Sequence, residues 1–289
     1  MKGKTYFLEP EKGASLLDEA VEKLRILRQD NFSSLIVERV VIGIFFTGVK
    51  LSTGCTGVAY TPPETARAAG RQILKGSAPN FRGQSAQDIL NGKHTSPFAN
   101  VVRLALINAL SVPLMREYLA TGSNGLDLTE FSDFFVDRKI CMVGAIMPIL
   151  KKLDKITAAG IRIVERKTDS IPKNRKMLLV HPENTAEALG WCDTAVITGA
   201  SIANGSFEYL VSKVKPDAAI AVVGPTAGFI PLPLFRRRVA IVSTVTVTDG
   251  DMALDILAEG GGAYQLFGKC VKKINLLNRD RMFELGMQF

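Results

Sequence analysis

Ala195-Val196-Ile197-Thr198-Gly199-Ala200-Ser201 is a short apolar run that stops on a hydroxyl, a glycine and two small residues. The pattern recurs on both sides of it. Ile140-Cys141-Met142-Val143 runs into Gly144, and Ile220-Ala221-Val222-Val223 runs into Gly224-Pro225-Thr226-Ala227-Gly228. Val239-Ala240-Ile241-Val242 continues through Ser243 and Thr244. Continuous apolar runs fit strands whose two faces are both covered by helices. In such sheets ligands sit beyond the carboxyl ends of the strands, where glycines let backbone N–H groups approach an anion or a ribose. The second half, residues 129–289, is therefore expected to be a doubly wound, mainly parallel α/β domain that binds a ligand.

The first half is patterned differently. Leu16, Leu17, Ala20, Val21, Leu24 and Leu27 have helical spacing within residues 14–29. Residues 36–51 are rich in Val, Ile, Phe and Thr, and Val58-Ala59-Tyr60 follows Gly54-Cys55-Thr56-Gly57, which predicts antiparallel strands joined by tight turns. Ser85 is placed to cap a short helix ahead of Asp88. Pro97 opens a helix to Leu110 that is apolar nearly all round and therefore buried. Thr121-Gly122-Ser123-Asn124-Gly125-Leu126-Asp127-Leu128 has the turn chemistry of a linker. The parse is an α+β domain at 1–122 followed by the doubly wound one.

Composition bounds the function classes. The chain has 289 residues, 47% of them hydrophobic and 22% charged, ordinary for a packed protein of two cores. Its apolar stretches break long before the roughly 20 residues a membrane span needs. Met1-Lys2-Gly3-Lys4-Thr5-Tyr6 has no apolar signal core behind it, so a cytoplasmic protein without a membrane partner is expected. The net charge of +8 is spread along the chain: residues 1–122 carry 15 basic against 10 acidic residues and the remainder 21 against 18. Arg236-Arg237-Arg238 is the one dense cluster, without the interleaved aromatics of a nucleic-acid surface, so no nucleic-acid partner is expected. Cys55, Cys141, Cys192 and Cys270 form no C-x-x-C pair and read as reduced, partly buried thiols. His94 and His181 stand alone, and no metal site is expected. Self-association into a homo-oligomer is left open.

The strand ends nominate the site. Gly144 and Glu165, 21 positions apart, have the spacing of a glycine turn and a ribose-binding acid. The turn Gly144-Ala145-Ile146-Met147-Pro148 lacks the second glycine that lets a pyrophosphate approach, so an adenosine-type nucleotide is a better cofactor candidate than a full dinucleotide. Thr198, Gly199, Ser201, Asn204 and Gly205 can present hydroxyls, an amide and N–H groups to an anion, or cap their own helix. Gly224, Pro225 and Thr226 repeat the arrangement one strand later. Asp249 and Glu259 are the candidate catalytic acids, Asp249 alternatively a helix cap. Gly260, Gly261 and Gly262 carry a high entropic cost, which implies close approach of a ligand or another segment. From the first domain, Thr47 and Asn108 are expected nearest the ligand, Asn108 alternatively as a core amide. No nucleophile–base pair is recognisable.

Three strings in order, T-G-A-S-I-A-N-G-S, G-P-T-A-G and A-E-G-G-G-A-Y-Q-L-F-G, resemble a family of unknown function described as "putative heavy-metal chelation"; V-V-I-G-I-F-F-T-G-V and L-A-L-I-N-A-L resemble its usual N-terminal companion. The resemblance implies an enolase-N-terminal-like α+β domain, a Rossmann-like domain and a site between them. It also implies a link to metal-chelating small molecules, and with no Cys/His cluster the expected ligand is the organic chelator. The leading expectation is an enzyme acting on an anionic or aromatic metabolite in an interdomain cleft. The rival is a non-catalytic carrier for a nucleotide-like ligand or a metal–chelator complex.

Overall fold

The computed structural model describes residues 15–29, 32–72, 80–92, 96–119, 126–153, 155–156 and 158–287. Helix α1, Leu16–Arg28, starts where Ser15 Oγ accepts the Asp18 N–H. Strands β1 (Val37–Ile42), β2 (Phe46–Leu51) and β3 (Thr56–Tyr60) form an antiparallel sheet in that order. Helices α2 (Pro63–Gln72), α3 (Ala86–Leu90) and α4 (Ala99–Leu119) follow. Ser85 caps α3 as its spacing predicts, accepting the Asp88 N–H at 3.1 Å.

Helix α4 is longer than its sequence suggests. Pro97 lies in the turn before it, where Ser96 Oγ accepts the Phe98 N–H, and the helix runs through Pro113. The buried side chains from Val101 to Met115 hold both halves of α4 in one core, which offsets the hydrogen bond Pro113 cannot donate. Ser111, one turn before the end of that buried stretch, donates to Ile107 O and accepts the Ile230 N–H, tying α4 to the second half of the chain. Of the expected linker, residues 121–125 lie outside the described residues.

The apolar runs form one seven-stranded sheet. Its strands are β4 (Lys139–Val143), β5 (Gly160–Val164), β6 (Leu179–Val180), β7 (Thr194–Thr198), β8 (Ala219–Val223), β9 (Ile241–Val247) and β10 (Val271–Leu277), in the order β10-β9-β8-β7-β4-β5-β6. All neighbours are parallel except β10 on β9. The first six strands have the doubly wound order in which the chain starts in the middle, builds one side, and returns to build the other. The reversal lies between β4 and β7. The antiparallel β10, Val-Lys-Lys-Ile-Asn-Leu-Leu, is, like the two-residue β6, a strand the continuous-run signal misses; in β10 the exposed Lys272 and Lys273 interrupt the run.

Alternation along the strands explains the runs. Cys141, Val143, Ala195, Ile197, Ile220 and Val222 share a core with α1, α4, α6 (Thr185–Trp191) and α8 (Phe207–Lys213). Ile140, Met142, Val196 and Ala221 point the other way, onto α5 (Met147–Leu153), Phe134 and Met282. Both faces are apolar because both are covered.

Glycines let the three-stranded sheet pack closely on α4 and on the helix that follows β9. A Cβ on Gly57 would run into the Ala105 and Ala109 backbone of α4, one on Gly48 into Leu254, and one on Gly250 into Thr56. Leu254 and Gly250 belong to α10 (Gly250–Ala258). A charged lock adds to this seam. Glu19 of α1, only 8% exposed, accepts from Arg236 Nη1 at 2.6 Å and Arg237 Nη1 at 2.7 Å, beyond the end of α9 (Leu232–Phe235). Arg237 Nε also reaches Glu208, and Arg238 donates to the carbonyls of Val211, Val214 and Lys215. The arginine cluster is thus turned inward, because α1 and the end of α8 present acceptors to it.

Candidate functional site

A cleft of about 500 Å³ opens at the carboxyl ends of β4, β5 and β7, at the reversal point of the sheet. Its lining includes Gly144, Glu165, Thr198, Ser201 and Asn204. Tyr60, Pro63 and Glu64 approach from the end of β3 and the start of α2. Five predicted residues, from three strand ends, therefore line one cleft.

Each is placed by its own turn. Gly144 has φ of 87°, a conformation a side chain would resist, and a Cβ there would press on Thr198. Its N–H donates to Val164 O, so the first turn is bound to the end of β5. The Glu165 carboxylate accepts the Ala145 N–H at 2.8 Å and the Lys167 N–H at 2.7 Å, one on each oxygen. This fixes the acid at the cleft and leaves each oxygen able to accept once more. Thr198 Oγ1 accepts the Ala200 N–H, and the buried Ser201 Oγ donates to Thr198 O. Gly199 is held by Val223 O at 2.7 Å. Asn204 Oδ1 accepts both the N–H and the Oγ of Ser206, an Asx turn closed by Gly205 at φ of 76°. Asn204 is exposed at the rim.

The cleft also contains groups the sequence reading missed. The Tyr60 phenol is held above its ordinary pKa by burial first, and then by the Glu64 and Glu165 carboxylates. It therefore stays protonated through neutral pH as a hydrogen-bond donor. Arg166 and Lys167 are exposed on the β5 side, and Tyr209 and Leu210 of α8 form an opposite, more apolar wall. Tyr60 and Glu64 could have been suggested only by their flanking of Pro62-Pro63, where the chain leaves the small sheet.

The other predicted residues fall in two places away from this lining. Asn108, 3% exposed, donates from Nδ2 to Val58 O at 2.7 Å and Thr226 O at 3.1 Å. Thr226 Oγ1 accepts the Tyr60 N–H at 3.0 Å, and Gly224 O accepts from Thr244. Pro225 is buried beside them, and Thr47 is buried against Thr61 at 2.9 Å between hydroxyls. These groups form a polar clasp joining β3, α4 and the turn after β8. Asn108 Oδ1 is buried in it without a partner.

The third group lies at α10. Asp249 is its N-cap, accepting the Met252 N–H at 3.0 Å. Glu259 is the C-cap, Gly260 has φ of 79°, and the N–H groups of Gly260 and Gly261 donate to Leu257 O and Ile256 O. That is the paired bonding of a Schellman motif. A Cβ on Gly261 would run into Ile256, and Gly262 begins α11 (Ala263–Leu266) next to Phe45. Helix termination and close packing account for the three glycines.

Two family models, both described as "putative heavy-metal chelation", match residues 127–276 and 27–111. The chain belongs to this family. Two solved structures share the fold. One is a protein of unknown function of the family from Pyrococcus horikoshii, with TM-score 0.69 and 20% identity, covering 91% of this chain and 100% of that one. The other is a family protein of unknown function from Desulfitobacterium hafniense, with TM-score 0.65 and 18% identity, covering 90% and 98%. No curated protein matches the chain. The family's description raises the question of a metal. The cleft offers carboxylates, hydroxyls, a phenol and an amide but no thiol or imidazole, whereas soft heavy metals select thiolate and nitrogen donors. Its donor set does not fit a soft metal held by protein ligands alone. Among the described residues, no three His, Cys, Asp or Glu side chains converge as a metal-binding group, and no helix is long and apolar enough to cross a membrane.

Proposed function

We propose that this family member binds a small organic ligand in the cleft between β4, β5, β7 and the Tyr60–Glu64 segment, and acts on it as an enzyme. The observation that carries this reading is the convergence of five predicted polar and glycine positions with Tyr60 and Glu64 on one cleft at the sheet's reversal point. The ligand class is an anionic or aromatic metabolite. Arg166 and Lys167 supply positive charge at the β5 side, and Tyr209 and Leu210 supply apolar surface opposite. A heavy metal would arrive already held by the ligand's own donor atoms, which reconciles the family's description with a cleft lacking thiols and imidazoles. The role in metal-chelator metabolism is thus chemistry on the chelator.

The acid–base pair of this reading is Tyr60 with Glu64. A protonated phenol beside a carboxylate can donate a proton to one ligand atom while the carboxylate accepts from another. Asp249 caps the start of α10 and Glu259 is exposed at its end, and neither lines the cleft. One observation favours the carrier reading instead: Glu165, the acid most deeply tied into the cleft, is bonded to two backbone N–H groups, as a binding scaffold requires. An adenosine-type nucleotide, with a diol to meet Glu165, is the carrier's candidate ligand.

Native mass spectrometry of the gently purified protein, with identification of any small molecule it carries, tests the proposal. Incubation of that molecule with wild type and with Tyr60→Phe then separates the readings. The enzyme converts it and Tyr60→Phe does not; a carrier releases it unchanged from both. A ligand that survives substitution of both Asn204 and Ser201 would overturn the placement.

A further inference from the structure

A second recess lies at the β5–β6 edge of the large sheet. Its volume of about 480 Å³ suits a small molecule. It shares no lining residue with the cleft, and the segment after β6 divides between the two: His181 and Asn184 face the recess, Pro182 and Thr185 the cleft. The proposed function makes no use of it.

Three features give the recess its chemistry. The first is a fixed guanidinium. Glu187 and Trp191, one turn apart on α6, both meet Arg162 of β5. The Arg162 guanidinium carbon stands 4.3 Å from the centre of the Trp191 ring, and Nη1 donates to Glu187 at 3.1 Å. Gly160, on the same face of β5, leaves room for that ring, since a Cβ there would stand 3.1 Å from it. The second feature is an incomplete partner. Arg162 Nε and Nη2 have no partner among the described residues, and Glu187, 70% exposed, is a solvent-screened one. Arg236, Arg237 and Arg238 differ, because their donors reach Glu19, Glu208 and backbone carbonyls. The third is an open backbone edge. Successive residues of a parallel strand turn their N–H and C=O groups to opposite neighbours. Val164 O accepts the Gly144 N–H on the β4 side, so Ile163 and Ile161 turn toward β6. Strand β6 pairs only with Ile163 and Val164, which leaves the N–H and C=O of Ile161 facing the recess.

We infer that this recess binds a small carboxylate that also carries an amide and an apolar group, the chemistry of an acylated amino acid. The carboxylate meets the free side of the Arg162 fork, whose planar donors match two oxygens. The amide pairs with the N–H and C=O of Ile161, where a longer β6 would have paired. The apolar group lies against Met177 and Leu178; Met177 is exposed at the rim, and its flexible thioether adapts to the shape it meets. Glu187 holds one donor of Arg162 and competes with the ligand's carboxylate for the rest.

The test uses the full chain, with hippurate (benzoylglycine) as the probe. Trp191 is the chain's single tryptophan, so its fluorescence reports on this recess. The expected result is a saturable change in that emission at millimolar hippurate or below. Hippurate methyl ester, which lacks the charge, should bind roughly tenfold more weakly, the scale of one charge-assisted contact. Arg162→Gln should weaken hippurate by a similar factor, read by calorimetry because the substitution also alters the surroundings of the indole. Glu187→Gln should tighten hippurate a few-fold, since it removes the competing carboxylate from an exposed position. No saturable response, equal binding of the ester, full affinity in Arg162→Gln, or unchanged or weaker binding in Glu187→Gln would each overturn the inference. Binding that persists in Arg162→Gln and vanishes in Tyr60→Phe would also overturn it, by placing hippurate in the cleft. The ester and Glu187→Gln decide even if Arg162→Gln fails to fold.

Discussion

Neighbouring strand ends of one sheet carry similar glycine turns and treat them differently. At β4 and β7 the turns stand around an open cleft of about 500 Å³. At β8 and β9, Gly224 to Gly228 and Gly250 are pressed against β3, α4 and the clasp of Asn108 and Thr226. A glycine at a strand end can therefore mean that a ligand needs the space, or that another part of the protein already fills it. Packing, rather than motif, separates the two cases. At Gly205 a Cβ meets nothing within 4 Å, whereas at Gly57 it would meet the backbone of α4.

The comparison breaks first, and hardest, at the charged lock of the packed seam. Glu19→Gln removes the carboxylate that pairs with Arg236, whose side chain is 10% exposed, and leaves Arg237, 15% exposed, with Glu208 as its remaining carboxylate. Leaving buried charge unpaired typically costs about 3–5 kcal/mol. Chemical denaturation should show a loss near that size. A loss under about 1 kcal/mol, the range of a surface ion pair, would mean that the seam is held by packing alone.

One methyl group placed on β3 at the packed side, and one in the turn beside the cleft, give the second test. Gly57→Ala forces the Ala105–Ala109 backbone to move and should cost about 1–3 kcal/mol, the range for overpacking. Gly205→Ala has open space and meets only the strain of φ at 76°, about 1 kcal/mol. Thermal melts of the two variants should keep that order. Equal losses would show that backbone strain, and not the packed seam, distinguishes the two ends.

Much of the fold was legible because hydrophobic burial writes itself as pattern. Residues 140–143, 195–197 and 220–223 are strands of one sheet, and their unbroken apolar character follows from coverage on both faces. What the pattern could not show was which segments meet. Gly260-Gly261-Gly262 advertises close backbone approach, and the approach is to Ile256 and Phe45, with the Schellman bonds of α10. Arg236-Arg237-Arg238 advertises charge, but Glu19, more than 200 positions away, decides that the charge is internal. Glu165 at the cleft was legible from its spacing to Gly144; Tyr60 and Glu64 were not, because nothing local distinguishes a phenol that ends in a cleft from one at a sheet edge.

The smallest expected change in stability belongs to the open end, where it is paired with the most specific change in function. Asn204→Ala removes the acceptor for the Ser206 N–H and hydroxyl in an exposed turn, a loss of about 0.5 kcal/mol on the scale of surface substitutions. The fold and the seam should be untouched. Under the proposed function the same change removes the rim amide from the cleft, so a ligand that copurifies with wild type should be depleted from this variant. Phe283→Ser, at an 82% exposed position on α12 (Arg279–Glu284), is the matched control and should retain it. Arg237 could not serve as that control, since it locks α1 to the rest of the molecule through Glu19. If Asn204→Ala keeps its ligand and Thr226→Val loses it, the working end of the sheet is the packed one, and the contrast between the two ends must be reversed.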